Sequence, residues 1–126
     1  MSGPRPRVLV AEDDDDIRED VVCLLEGQGV EAVGARNGRE ALERLLLDAP
    51  FSVVLLDLMM PVMDGWAFRE AQLSRPEIAS VPVVIMSGAA DARREARALQ
   101  VADCLVKPVG FDVLMGVLGR YLPPPH

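Results

Sequence analysis

The sequence predicts an α/β domain built on a parallel sheet, and three observations carry that prediction. Apolar runs recur along the chain at Val8–Ala11, Val53–Leu56 and Val81–Met86. Each run is continuous rather than alternating, as expected of strands buried on both faces of a parallel sheet. Segments with helical spacing of apolar residues separate them, and strand-helix alternation repeated five times is the pattern of an α/β sandwich. The length agrees. A chain of 126 residues has room for one domain, with a core that needs no disulfide or metal staple.

The elements follow in order. The first strand runs straight into Glu12-Asp13-Asp14-Asp15-Asp16. Asp14, Asp15 and Asp16 read as capping and first-turn acids of the helix that follows, where they favour its dipole. That helix places Ile17, Val21, Leu24 and Leu25 on one face and ends at Gly27 to Gly29. A weaker run from Val30 to Ala35 supplies the second strand. Asn37 then caps a helix whose apolar face is Ala41, Leu42, Leu45 and Leu46. The third strand ends in Asp57, and Asp64-Gly65 is a turn opening a helix that reaches about Ser74. After the fourth strand come Ser87 and the small residues Gly88-Ala89-Ala90, then a helix from about Asp91 to Gln100. Cys104-Leu105-Val106 is the fifth strand, and the last helix spans about Phe111 to Leu122.

Most conspicuous side chains read as structural. Met59, Met60, Met63 and Met86 pack loop and core, and Trp66 and Cys23 pack helix faces. Arg93, Arg94 and Arg97 read as a solvated face. The last helix is the exception. Phe111, Leu114, Leu118 and Leu122 suffice for its core face, yet Val113, Met115 and Val117 are apolar too, which predicts a covering partner. Residues 123–126, Pro-Pro-Pro-His, predict a frayed tail with no output domain after it, so residues 1–126 are expected to form one domain with its core at about 7–122.

Composition narrows the chemistry. A net charge of −7 disfavours nucleic acid and anionic membrane surfaces as partners. No apolar run approaches the roughly 18 residues of a membrane span, and Met1-Ser2-Gly3-Pro4-Arg5 opens no signal peptide. The only histidine is His126, which removes Ser-His-Asp triads and His-rich metal centres. Cys23 and Cys104 match no zinc or redox spacing and are expected to stay reduced, as in the cytoplasm. Chemistry must therefore run on carboxylates, hydroxyls, lysine and a hard metal ion.

Glu12, Asp13 and Asp57 all sit at the carboxyl ends of strands, the edge where open α/β sheets bind ligands. If the first and third strands are neighbours, the three carboxylates meet in one pocket. Two like charges about 4 Å apart repel by roughly 4 kcal/mol at an effective dielectric near 20. Either one acid is protonated or a divalent cation lies among them, and an all-oxygen site suits Mg²⁺ or Mn²⁺. Such a pocket attracts phosphate, and a carboxylate there can be the nucleophile in phosphoryl transfer.

Asp57-Leu58-Met59-Met60-Pro61-Val62-Met63-Asp64-Gly65 closely resembles the phosphorylation loop of receiver domains in two-component response regulators. Glu12-Asp13 resembles that family's acidic pair, Ser87 its hydroxyl residue after the fourth strand, and Lys107-Pro108 its lysine-proline after the fifth. The likeness extends from Arg7 to about Leu122. It implies a flavodoxin-like, doubly wound five-stranded parallel sheet in the order 2-1-3-4-5 with five helices, an order for which a chemotaxis receiver is a known example. It implies that Asp57 is the phosphoacceptor, served by a sensor histidine kinase or phosphotransfer protein. Glu12, Asp13, Asp57 and the Met59 backbone carbonyl would hold Mg²⁺, and Lys107 and Ser87 would meet the phosphoryl group. A cis Lys107-Pro108 bond and an output surface on the fourth and fifth helices, reached by a protein target or a second copy, are implied as well.

Three positions depart from the family pattern. Cys104 stands where receivers usually carry Tyr or Phe, Gln100 where a glycine commonly ends the fourth helix, and Glu12 where Asp is commoner. A haloacid-dehalogenase-like phosphatase would need a second acid at Met59, and a nucleotide-binding loop would need glycines where this chain has five acids. A receiver used only as a binding module would not need all five site residues. The expected function is a phosphorylation switch that catalyses its own phosphorylation and dephosphorylation rather than an enzyme with a separate substrate. The alternative is a phosphorelay intermediate or a receiver excised from a hybrid kinase.

Overall fold

Five strands and five helices alternate along the chain in the computed structural model, which describes residues 5–88 and 92–123. In order they are β1 (Arg7–Ala11), α1 (Asp15–Gly27), β2 (Glu31–Ala35), α2 (Gly38–Leu47), β3 (Val53–Asp57), α3 (Gly65–Leu73), β4 (Val83–Ser87), α4 (Ala92–Leu99), β5 (Asp103–Val106) and α5 (Phe111–Leu118). All strand pairs are parallel and the sheet order is β2-β1-β3-β4-β5. Ala89, Ala90, the start of the fourth helix at Asp91, and Pro124 to His126 lie outside the described residues.

The continuous apolar strands divide their side chains between two cores, as the pleat requires. Leu9, Val54, Leu56, Val83 and Ile85 pack with Ala41, Leu45 and Phe68 of α2 and α3, joined by Ala96 and Leu99 of α4. Val8, Val10, Val53, Leu55, Val84 and Met86 pack with Val21 and Leu25 of α1 and Leu114 and Leu118 of α5. The sheet is thus covered on both faces. Each fully buried side chain of this size contributes about 1.5–3 kcal/mol.

Among the described residues, three helices begin on side-chain caps. Asp14 accepts from the Ile17 N–H at 3.0 Å, Asn37 from Glu40 at 2.8 Å and Asp64 from Ala67 at 2.9 Å. Each cap is worth about 1 kcal/mol over Ala. The face of α1 is narrower than its spacing predicts. Val21 and Leu25 are buried, whereas Ile17, Leu24 and Cys23 are exposed, so Cys23 is not a packing residue. Ile17 and Leu24 instead flank an open apolar groove beside Phe111 and Val109. Helix α5 ends at Leu118 rather than Leu122, because the chain tightens after Gly119 into turns closed by Arg120 N–H to Val117 and Tyr121 N–H to Leu118. Met115 and Val117 pack against the core, leaving Val113, 59% exposed, as its outward apolar residue.

Helix α4 closes in a Schellman motif. Val101 N–H bonds to the Ala96 carbonyl at 3.1 Å and Gln100 N–H to Arg97 at 3.2 Å, with Gln100 at φ 56°. That backbone region favours glycine and costs other residues roughly 1–2 kcal/mol. Gln100→Gly is therefore expected to stabilise the protein by about 1 kcal/mol, read as a higher midpoint in urea with an unchanged slope. A midpoint at or below the wild-type value would refute this account of the turn.

Candidate functional site

Parallel strands deliver their carboxyl ends to one edge, and that edge carries the predicted residues. Glu12 and Asp13 follow β1, Asp57 and Ser87 close β3 and β4, and Lys107 follows β5. Register aligns Ala11 with Leu56 and Ser87 with Val106, so the next residues on β1 and β3 are Glu12 and Asp57, side by side. One carboxylate oxygen from each of Glu12, Asp13 and Asp57 lies within 4.8 Å of the others.

Burial differs sharply within this cluster. Glu12 is 1% exposed and Asp57 4%, whereas Asp13 is open to solvent. A buried carboxylate needs partners. Lys107 Nζ donates to Glu12 Oε1 at 2.8 Å and lies 3.3 Å from Asp57 Oδ2. Backbone amides take the remaining oxygens: Asp14 N–H donates to Glu12 Oε2 and Met59 N–H to Asp57 Oδ1, both at 3.2 Å. Burial works to lower the pKa of Lys107. The hydrogen bond that Lys107 donates to Glu12 and the charges of Asp57 and Glu12 outweigh it, so the ammonium is held above its ordinary value.

The loop after β3 is shaped around Asp57. Gly65 N–H bonds to the Leu58 carbonyl at 2.9 Å, bringing the start of α3 against the strand end. A Cβ on Gly65 would lie 2.8 Å from Leu58 Cα and 2.9 Å from the Asp57 carbonyl oxygen, so a side chain there would displace the backbone that aims Asp57. Val62 adopts φ 69° as Met63 N–H closes onto the Pro61 carbonyl at 2.7 Å, a strained turn for a β-branched residue. Lys107-Pro108 is cis, in line with the sequence-based expectation; Ala49-Pro50 is cis as well.

Ser87 is 6% exposed, and its hydroxyl donates to Glu95 Oε2 on α4 at 3.4 Å. Glu95 has no distinguishing mark in the sequence, where it reads as one more charged residue on a polar helix. Met59 is 72% exposed, with only its backbone amide engaged by Asp57.

Three carboxylates facing one ammonium leave two negative charges uncompensated, and every ligand atom is oxygen. This donor set fits a divalent hard cation such as Mg²⁺ or Mn²⁺. Removing one acid should relieve the repulsion. Asp13→Ala is expected to raise stability in EDTA by about 1 kcal/mol, a modest gain because Asp13 is solvent-screened. The same substitution should remove the stabilisation that Mg²⁺ gives the wild type. Thermal melts with and without Mg²⁺ read both effects, and a variant less stable than wild type in EDTA would contradict stored repulsion.

Comparison with known proteins points one way. A family model described as the response regulator receiver domain matches residues 8–118. The transcriptional regulatory protein ZraR of Klebsiella oxytoca is 35% identical over 125 residues, covering 97% of this chain and 27% of that protein. The response regulator receiver protein CpdR of Brucella abortus is 38% identical over 99 residues, covering 74% of this chain and 82% of its own. The solved structure of the chemotaxis response regulator CheY4 of Vibrio cholerae superposes with a TM-score of 0.86 at 30% identity, over 94% of this chain and 100% of that one. Sensor histidine kinases and hybrid signal transduction proteins are among the relatives as well. This chain spans about a quarter of the length of several curated relatives it matches. Among the described residues no helix is long and apolar enough to cross a membrane.

Proposed function

The chain belongs to the family of response regulator receiver domains, and from that premise we propose that it is a phosphorylation-dependent switch that accepts a phosphoryl group on Asp57. The observation that carries this reading is a buried carboxylate at the end of β3, beside Glu12, Asp13 and the Lys107 ammonium. An Asp57 carboxylate oxygen attacks phosphorus of a phosphohistidine on a sensor kinase or phosphotransfer protein. The P–N bond breaks, the imidazole leaves with its electron pair, and an acyl phosphate forms. Lys107, already 3.3 Å from Asp57 Oδ2, then neighbours the new phosphoryl oxygens as a compact point charge. Glu12, Asp13, Asp57 and the Met59 carbonyl would hold Mg²⁺, or Mn²⁺, which when bound offsets charge on the transferring group. Ser87 exchanges Glu95 for a phosphoryl oxygen.

On this reading residues 1–126 act as one cytoplasmic receiver domain, without nucleic-acid or membrane partners of its own. It speeds its own phosphorylation and dephosphorylation and has no separate substrate. Its output surface is α4, β5 and α5, for a protein target or a second copy, with the exposed Arg93, Arg94, Arg97 and Val113 available to it. Cys104 packs against the core there, so no aromatic ring gates this face. The second reading, a phosphorelay intermediate or a receiver excised from a hybrid kinase, is favoured by the sensor kinases and hybrid proteins among the relatives.

Incubation with acetyl phosphate and Mg²⁺ tests the phosphoacceptor reading. One hydroxylamine-labile phosphoryl group per chain is expected, suppressed by EDTA. Failure to label under conditions where the fold is intact would overturn it.

A further inference from the structure

Arg69 lies in α3 only 8% exposed, a rare position for a guanidinium. Two of its hydrogen bonds reach the carboxyl end of α4. Nε donates to the Leu99 carbonyl at 3.0 Å and Nη2 to the Gln100 carbonyl at 2.6 Å. The third, from Nη1 to Gln72 Oε1 at 2.8 Å, anchors the guanidinium from below. Gln72 is fully buried, and its Nε2 donates to the carbonyls of Ile78 and Val81, both at 3.0 Å. Those two bonds fix which end of the amide is oxygen, and so point Oε1 at Arg69.

The chemistry of the contact is apt. A helix C-terminus carries partial negative charge on its unpaired carbonyls, and a cation there is favoured most when partly buried. Leu99 and Gln100 supply carbonyls that the Schellman turn leaves unpaired, and Gln100 holds the left-handed conformation that glycine would adopt at less cost. The other half of α4 is tied differently. Among the described residues, that half buries Ala92 and meets the site through the 3.4 Å bond from Ser87 to Glu95, long and partly exposed. One end of α4 is thus clamped by two buried residues, Arg69 and Gln72, while Glu95, nearer the other end, meets a hydroxyl beside the phosphoacceptor.

We propose that Arg69 is a positioning residue that pins the carboxyl end of α4 as a hinge, so that withdrawal of Ser87 from Glu95 swings only the amino end of the helix. The pin stands on the contacts of Arg69 and Gln72 alone; the swing rests on the phosphoacceptor reading of Asp57. Arg69→Met removes the donors while keeping an unbranched apolar side chain.

Amide hydrogen exchange, resolved at Val101, tests the two parts separately. Without any phosphoryl group, Val101 is expected to exchange about tenfold faster or more in Arg69→Met than in wild type, since hydrogen bonds from a charged donor are lost. The same comparison of Arg69→Met/Gln100→Gly against Gln100→Gly guards against general destabilisation, because glycine relieves the turn. Unchanged Val101 exchange in both comparisons overturns the pin. Beryllofluoride with Mg²⁺, which mimics a phosphoryl group on a carboxylate, tests the swing. In wild type it should alter exchange in the amino half of α4 and spare Val101, while in Arg69→Met the change should reach Val101. Equal changes at both ends of α4 in wild type overturn the hinge while leaving the phosphoacceptor reading intact. No beryllofluoride response anywhere in wild type overturns the swing together with that reading, and the phosphate-free comparison still judges the pin.

Discussion

Asp57→Ala is expected to lose all hydroxylamine-labile labelling by acetyl phosphate, while the folded protein persists. The carboxylates around Asp57 are poor substitutes as nucleophiles. Glu12 is more deeply buried, and Lys107 holds it more tightly, at 2.8 Å. Asp13 is open to water, where its carboxylate is not held by a buried pocket that would orient an attack. Asp57 Oδ2 is held at the longer distance of 3.3 Å, next to the ammonium that would receive the phosphoryl oxygens. The fold should tolerate the loss, because Lys107 keeps its shorter contact with Glu12 and no cation is left buried alone. Asp57→Asn, nearly isosteric, serves as a second control. Mass spectrometry of intact protein before and after hydroxylamine reads the result. Labelling of Asp57→Ala at the wild-type level would move the phosphorylation site elsewhere.

The parts of this design that sequence could reveal are those set by periodicity and strand ends. Val8–Ala11, Val53–Leu56 and Val83–Met86 are continuous because both faces are covered, and parallel strands must deliver Glu12, Asp57, Ser87 and Lys107 to one edge. What stayed illegible depends on distances rather than patterns. Nothing in the order of residues says that Lys107 binds Glu12 more closely than Asp57, or that Ser87 reaches Glu95. Arg69 and Gln72 look like ordinary polar residues on a helix, and only their burial against the end of α4 gives them a task. Ile17 and Leu24 fit the apolar spacing of α1 yet are exposed, because the residues that reach the sheet are Val21 and Leu25. On α5 the helix stops early, and Met115 and Val117 turn to the core, so the apolar excess read from spacing reduces to Val113.

Lys107→Met should be the most destabilising substitution in the pocket, opposite in sign to Asp13→Ala. Its ammonium is the cation that accompanies Glu12, and a carboxylate 1% exposed without that partner bears most of its desolvation penalty. Breaking a fully buried pair costs about 3–5 kcal/mol; Lys107 is partly open to water, so about 2 kcal/mol is expected here. The pH dependence has a definite sign. Because the folded pKa of Lys107 lies above its ordinary value, its contribution is complete below the unfolded lysine pKa of about 10.4 and is lost as pH rises through the folded value. The gap between wild type and Lys107→Met should therefore be constant from about pH 6 to 10 and begin to close only above about pH 10.4. Mg²⁺ should narrow it at neutral pH, since a divalent cation among Glu12, Asp13 and Asp57 replaces the missing positive charge. Urea unfolding in EDTA and in Mg²⁺ across that pH range measures each effect. A Lys107→Met protein as stable as wild type in EDTA at pH 7 would mean that the Asp14 amide and water suffice for Glu12, and that the ammonium is not what keeps the acids together.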